Sequence, residues 1–216
     1  MKSTTHAFAT LAETIYPSSG LLHDITSVVV ASLFIAVCAQ LNIPLPFTPV
    51  PLSGGTLGVL YAGALLGSRR GAAAVALYLL EGSAGFPVFS GGAAGFAHLL
   101  GPSGGYLLGF PLGAFVTGLL AERGWDRTPL RAFAVMLAGS LPIFALGLLG
   151  LSRFVPAEAV LAQGLWPFVP GDLLKAAVSA GLGIDAWSAG RVEAGSKSLS
   201  IGPIGLSFGD RDLNVR

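Results

Sequence analysis

Charged residues are scarce in this sequence. Asp, Glu, Lys and Arg make up 11% of its 216 residues, whereas a soluble globular domain carries about 25%. Hydrophobic residues make up 53%, and the mean hydropathy is +0.74. A soluble fold of this composition would lack the polar side chains that it needs on its surface. The shortage of charge therefore excludes an ordinary soluble domain and indicates a membrane protein.

Cysteine, histidine and net charge are also low. The single Cys38 cannot form a disulfide within the chain, and the three histidines form no Cys/His cluster in the sequence, so no metal site is predicted. The net charge is +1, which gives no electrostatic attraction to nucleic acid. These shortages argue against a disulfide scaffold, a zinc protein and a nucleic-acid-binding protein.

Three stretches contain no Asp, Glu, Lys or Arg, namely 25–68, 82–121 and 132–152. A membrane-spanning helix needs about 20 residues, so each of the first two stretches has room for two passes, or for one pass and its loops. Proline and glycine divide the stretches into helices. The sequence predicts an all-α polytopic membrane protein with six transmembrane helices, at about 25–42, 56–67, 71–83, 104–121, 131–151 and 166–189.

The basic residues predict the orientation of these helices. With six passes, the Lys and Arg residues between helices 2 and 3, between helices 4 and 5, and near both termini fall on one side. Only Arg153 lies in a linker on the other side. Because cytoplasmic loops are rich in Lys and Arg, both termini are predicted to be cytoplasmic. The domains are then a cytoplasmic segment at 1–24, a membrane domain at 25–190 and a polar cytoplasmic tail at 191–216.

Two uncharged loops, 44–55 and 84–103, lie on the predicted outer side and are rich in Pro, Gly and Phe. Linkers exposed to water are normally polar, so these loops are expected to pack against something apolar. They are either re-entrant caps over the helix bundle or covers over a bound ligand. The sequence leaves both alternatives open.

The last predicted helix contains two charges, Asp172 and Lys175, which share one face because they are three residues apart. A charge at the bilayer centre costs about 2.5–3.5 kcal/mol, so such a pair suggests function. Alternatively, Asp172 lies in the first turn, where the helix dipole favours a carboxylate, and Lys175 reaches the interface. As a functional pair, the two would suit a neutral ligand with N–H and C=O groups.

Two enzyme motifs are incomplete in this chain. Gly101-Pro-Ser-Gly is similar to the rhomboid protease motif, but no histidine follows Ser103 to act as its base. Ser103 is instead expected to cap the helix at 104–121. The stretch 190–198 has serine where a phosphate-binding loop requires lysine. We therefore expect no ATPase site and no enzyme activity.

Five motifs in order carry a family resemblance: Ile43-Pro-Leu-Pro-Phe-Thr-Pro-Val-Pro, Leu65-Leu-Gly-Ser-Arg-Arg-Gly, Gly85-Phe-Pro-Val-Phe, Gly101-Pro-Ser-Gly-Gly-Tyr-Leu-Leu-Gly-Phe and Pro170-Gly-Asp-Leu-Leu-Lys. Together they resemble the BioY family, the biotin-binding S component of energy-coupling factor (ECF) vitamin transporters. The resemblance implies a six-helix bundle in a prokaryotic cytoplasmic membrane that binds biotin with high affinity and needs no cofactor. It also implies partnership with a membrane coupling protein and two cytoplasmic ATPases. The alternatives are an S component for another vitamin and, from a different class, a small membrane enzyme or structural subunit.

The resemblance also implies roles for individual residues. Asp172 and Lys175 match the family positions that bind the ureido head of biotin. In the loop at 84–103, Phe89 is expected to cover the ligand. Ser90 of that loop, or Tyr106 in the helix at 104–121, is expected to supply a hydrogen bond. For these three residues, packing within the loop or the helix is the alternative.

The first loop departs from the family pattern. Leu52-Ser53-Gly54-Gly55-Thr56 stands where many members have a Thr-Leu-Gln-Thr-like stretch, so the glutamine is missing. Thr48 is retained, either near the ligand or as part of a turn.

Small residues on the first helix are the candidates for docking to the coupling protein. Ser32 and Ala36 are four residues apart and Ala39 is close by, a spacing that allows another helix to approach closely. Packing inside the bundle, or against lipid, is the alternative.

Overall fold

The computed structural model describes residues 20–126 and 128–174, and this part of the chain is mostly helical. The long helices are α1 (Leu21–Gln40), α2 (Gly55–Ser83), α4 (Gly104–Ala121) and α5 (Pro129–Leu151), and the short ones are α3 (Phe96–Leu99) and α6 (Val160–Gly164). Two strands, β1 (Asn42–Ile43) and β2 (Leu52–Ser53), and two 3-10 turns, Ser90–Gly92 and Ala157–Ala159, complete the elements, and residues 169–174 are again helical.

Three of these helices are long and apolar enough to span a membrane: α1, α4 and the Leu130–Leu151 part of α5. The helix predicted at 104–121 has the observed limits, and the one predicted at 131–151 begins two residues earlier. The helical character is thus confirmed for the described residues. The prediction of six spans stays a prediction, and most of the sixth predicted helix lies outside the described residues.

The element α2 consists of two helical parts that meet at a sharp break, as the sequence predicted. The break lies at Gly67, where φ is 84° and ψ is −179°, and the two parts lie against each other beside it, since a Cβ on Gly71 would lie 2.7 Å from Gly63 Cα. Glycine adopts this positive φ readily because it has no Cβ. Just after the break, the backbone N–H and the hydroxyl of Ser68 both donate to Glu122 Oε1, at 2.7 and 2.9 Å. The carboxylate therefore lies where the N-terminal end of a helix favours negative charge.

The uncharged loops contain more structure than predicted. Strands β1 and β2 pair antiparallel, with Asn42 opposite Ser53 and Ile43 opposite Leu52. This small hairpin was not predicted, and it closes the first loop at its base by backbone hydrogen bonds within a mostly helical fold. We refer to residues 42–53 as the first loop and to residues 84–103 as the second loop. The second loop contains the turn at Ser90–Gly92 and helix α3.

Close backbone contacts hold the long helices together. Helix α2 packs along α1 and α4, and α4 packs along α5. Gly63 lies directly against the backbone of Ala114, and a Cβ on Gly109 would lie 2.8 Å from Ile143 Cα. Small residues permit such close approach. Part of the high glycine content is therefore explained by the contacts of α4 with its two neighbours.

The small residues of α1 face inward, which corrects their assignment as a docking surface. Ser32 is fully buried and its hydroxyl donates to Glu81 Oε2 of α2 at 2.6 Å. Ala36 and Ala39 are 8% and 1% exposed. Because these side chains pack within the chain, they offer no surface to another protein in this conformation. The exposed side of α1 consists instead of large apolar residues, among them Leu22, Val30, Leu33, Phe34 and Val37.

Candidate binding site

A cavity lies between the first loop, the second loop, the long helices and the helical turn at 169–174. Counted out to its open mouth, with the solvent space that this includes, it has a volume of about 610 Å³. Its walls are mainly apolar. They are formed by Ala39, Val50, Pro51, Tyr78, Leu107, Phe110, Ile143, Phe144 and Phe168.

Asp172 is the charged residue in this wall. Among the lining residues that the structure describes, it alone carries a charge at neutral pH, and it is 7% exposed. Its backbone N–H donates to the Phe168 carbonyl at 2.8 Å, which places it at the start of a helix, where the dipole stabilises a carboxylate. The predicted partner, Lys175, lies outside the described residues. Asp172 therefore has both of the proposed properties, a first-turn position and a place on the cavity wall.

Ser90 presents a second polar group to the cavity. Its Oγ is buried and makes no hydrogen bond with the described residues. Gly91 and Gly92, with φ of 71° and 76°, form the turn that follows, a backbone conformation that favours glycine. A buried hydroxyl without a partner costs about 1–3 kcal/mol. A ligand in the cavity can supply that partner, which supports the role predicted for Ser90.

Tyr106 lines the cavity with its ring, while its hydroxyl is bound to the protein. The hydroxyl donates to the Gly164 carbonyl at 2.7 Å. The ring centroid lies 6.3 Å from that of Phe144 and 6.1 Å from that of Phe168. The hydroxyl hydrogen is thus already used, so the residue contributes an aromatic surface and holds the segment after α6 in place. This differs from the predicted hydrogen bond to a ligand.

Phe89 and Thr48 do not line the cavity. Phe89 is fully buried, edge-on to Tyr78 at a centroid distance of 5.5 Å and stacked on His98 at 5.3 Å. It supports two lining residues from behind. Thr48 Oγ1 accepts a hydrogen bond from the Val50 N–H at 3.3 Å, so it shapes the first loop. In this structure Phe89 packs inside the protein and Thr48 forms part of a turn, which are the alternatives given for them above.

Gln40, at the end of α1, attaches the second loop to the helix. Its Nε2 lies 3.2 Å from the carbonyl oxygens of both Val88 and Phe89, and 3.5 Å from that of Pro87. An amide NH₂ has two hydrogens, so these acceptors share them. Ser90 follows directly after this segment. Gln40 therefore positions the part of the second loop that reaches the cavity, a role that the sequence analysis missed.

Several polar lining residues were also missed. His98 lies in α3, and burial lowers the pKa of its imidazole, which favours the neutral form. Ser103 precedes α4 but its side chain makes no capping hydrogen bond, so the predicted cap is wrong and the side chain lines the cavity instead. Ser53 Oγ accepts from the Gly55 N–H at 3.3 Å. Ser53 and Thr56, both from the stretch that departs from the family pattern, line the cavity as well.

Comparison with known proteins shows the family. The model of the BioY family matches residues 5–191. The biotin transporter BioY of Rhizobium etli is 40% identical over 167 residues, covering 72% of this chain and 89% of that protein. That of Thermotoga maritima is 41% identical over 151 residues, covering 68% of this chain and 85% of that protein.

A solved structure agrees with this match. The S-component for biotin from an ECF-type ABC transporter has 28% sequence identity and a TM-score of 0.70, covering 82% of this chain and 95% of that one. The family match at 5–191 includes every described residue. This chain belongs to the BioY family.

Proposed function

We propose that this chain binds biotin in the cavity and takes it up as the S component of an ECF transporter. Its relatives are biotin transporters, and the similar solved structure is an S-component for biotin. The observation that carries the proposal is the buried carboxylate of Asp172 on a mainly apolar wall that bears no other acidic side chain among the described residues. A carboxylate accepts N–H groups in strong, charge-assisted hydrogen bonds. The ureido head of biotin has two N–H groups, attached to a mainly apolar ring system.

The remaining groups complete the fit to a neutral polar head. Lys175 follows Asp172 by three residues, so on a continuing helix it shares the same face and can donate to the ureido carbonyl. Ser90 Oγ offers a further hydrogen bond. The aromatic rings of Phe110, Phe144 and Phe168 provide apolar area for the bicyclic ring and the valeryl chain.

The proposed setting is a prokaryotic cytoplasmic membrane, crossed six times with both termini in the cytoplasm. The three long apolar helices and the distribution of Lys and Arg support this arrangement. In this proposal the chain is a transporter component and not an enzyme, and a membrane coupling protein with two cytoplasmic ATPases supplies the energy. The segments 1–24 and 191–216 lie in the cytoplasm in this arrangement.

Equilibrium binding of labelled biotin to the full chain in detergent tests the proposal. We expect a nanomolar Kd, which corresponds to about −12 kcal/mol. Asp172→Asn and Lys175→Ala are each expected to weaken binding by roughly 2 kcal/mol, or about 30-fold, because a buried polar group loses its partner. Glu158→Gln, an exposed acid outside the cavity, is the control and keeps the wild-type Kd.

Two outcomes separate the site from the function. If the wild type binds biotin and both variants bind it equally well, the assignment of Asp172 and Lys175 is wrong while the function stands. If the wild type binds another vitamin and not biotin, the chain is an S component of different specificity.

A further inference from the structure

A second groove lies on the outer surface between α4 and α5, separate from the binding cavity. Counted to its open mouth, it has a volume of about 890 Å³. It shares no lining residue with the cavity. Its apolar walls include Leu99, Leu108, Leu146, Leu149 and Phe154.

Two glycines form the floor of the groove. Gly105 of α4 and Gly150 of α5 are in direct backbone contact, since a Cβ on Gly150 would lie 2.8 Å from Gly105 Cα. Because neither glycine has a side chain, the space between the two helices is left open beside them. The flanking leucines remain exposed, with Leu108 at 55% and Leu149 at 67%. The groove is therefore open and apolar, and it lies on two helices that are apolar enough to span a membrane.

One cationic side chain, that of Arg153, lies at the end of this groove. Arg153 lies two residues after the end of α5, is exposed and lines the groove. It makes no ion pair with the residues that the structure describes. A guanidinium presents a planar fork of donors that matches a phosphate, and its aliphatic stem can lie along apolar surface.

We propose that this groove binds one anionic phospholipid, with its phosphate at Arg153 and an acyl chain along the leucines. Charge complementarity favours this occupant, because the other residues that line the groove are uncharged and Arg153 makes no ion pair with the described residues. A protein partner would have to bring a carboxylate to the same place, and a zwitterionic lipid would bring a cation of its own next to the arginine. The inference depends on the chain being membrane-embedded and is independent of biotin binding.

Native mass spectrometry of the delipidated full chain tests the proposal. The protein is titrated with phosphatidylglycerol or with phosphatidylcholine of the same acyl chains. We expect one tight phosphatidylglycerol site in the wild type and about fivefold weaker binding in Arg153→Gln, from the loss of one basic residue near a lipid surface. Arg131→Gln, the same change near the opposite end of α5, is the control and keeps the tight site. Binding of phosphatidylcholine is weaker than that of phosphatidylglycerol in the wild type and the same in both variants.

A second variant tests the chain-binding part of the groove. Leu108→Gln places an amide among the leucines and is expected to weaken phosphatidylglycerol binding while leaving biotin affinity unchanged, which shows that the protein is folded. The proposal is overturned if Arg153→Gln binds phosphatidylglycerol like the wild type, or if the wild type does not distinguish the two lipids. It is also overturned if Arg153→Gln changes the oligomeric state and not the lipid binding, since the groove would then be a protein interface.

Discussion

Replacing Gly82 by alanine is expected to displace the Phe89 ring and, with it, the second loop. Gly82 lies in the last turn of α2, and an added Cβ would overlap the ring, with Cε2 at 2.6 Å. The ring has no free space around it. It is fully buried, edge-on to Tyr78 and stacked on His98. Glycine is therefore required at residue 82 because the aromatic ring occupies the place of a side chain.

The size of the effect follows from the overlap. Ordinary contact with a Cβ begins at 3.4 Å, so the ring has to move by about 1 Å. Overpacking of this kind costs about 1–3 kcal/mol. Ser90, the next residue, lies on the cavity wall, and His98 stacks on the moving ring. If the whole cost falls on the loop conformation that binds ligand, biotin affinity decreases about 5- to 150-fold.

Biotin titration of Gly82→Ala measures this loss. Gly101→Ala is the matched control in the second loop, because its Cβ would meet only ordinary contacts, the nearest being His98 O at 3.4 Å. Combining Gly82→Ala with Phe89→Leu relieves the overlap, so the double variant loses less affinity than the sum of the two single losses. Wild-type affinity in Gly82→Ala, or simple additivity in the double variant, would refute the reasoning.

Three further predictions concern polar contacts. Tyr106→Phe removes the donor to the buried Gly164 carbonyl and is expected to lower the free energy of unfolding by about 1–3 kcal/mol; an unchanged thermal midpoint would contradict this. Gln40→Ala releases the second loop from α1 and is expected to speed biotin dissociation about fivefold, for a bond of about 1 kcal/mol, in a chase with unlabelled biotin; an unaltered rate would show that the contact does not hold the loop. Glu122→Ala removes the acceptor of both Ser68 donors and is expected to cost about 1–2 kcal/mol of stability, read from thermal unfolding, at unchanged biotin affinity.

The limits of the long helices could be predicted because charges and breakers mark them. Helix α4 begins after Gly101-Pro-Ser and ends just before Glu122-Arg123, and the predicted range 104–121 is the observed one. The break between the two parts of α2 was predicted at Gly67 to Arg70, and the non-helical backbone is confined to Gly67. A single positive φ at Gly67 is sufficient because Glu122 caps the helix that follows. That contact joins residues 54 positions apart, so no local pattern reveals it.

The faces of α1 could not be predicted in the same way. The helix is apolar on nearly all sides, so the sequence left open whether its small residues face a partner, lipid or the bundle. The buried face is decided by a partner in α2, because Glu81 accepts the Ser32 hydroxyl. A carboxylate at the edge of an apolar stretch needs such a donor, and this requirement was the signal available in the sequence.

The sequence indicated those lining residues whose burial in an apolar stretch costs free energy. Asp172 was recognised because it is a charge in an apolar stretch, and the structure places it on the cavity wall. His98 and Ser103 were missed because their positions depend on how the second loop folds back against α2 and α4. The role of Lys175 stays a prediction.

The binding cavity has one wall of closely packed helices, which is the rigid side, and one wall of loops. On the rigid side α2, α4 and α5 touch backbone to backbone, so they cannot separate without losing a packed interface. On the other side the second loop is joined to α1 by the Gln40 amide, where each hydrogen bond contributes about 0.5–1.5 kcal/mol, and to α2 by the buried Phe89 ring. The hydrogen bonds to α1 can be removed by one substitution that leaves the packing of Phe89 in place. The rate at which a ligand enters or leaves can be changed by a substitution at residue 40 that never touches the ligand.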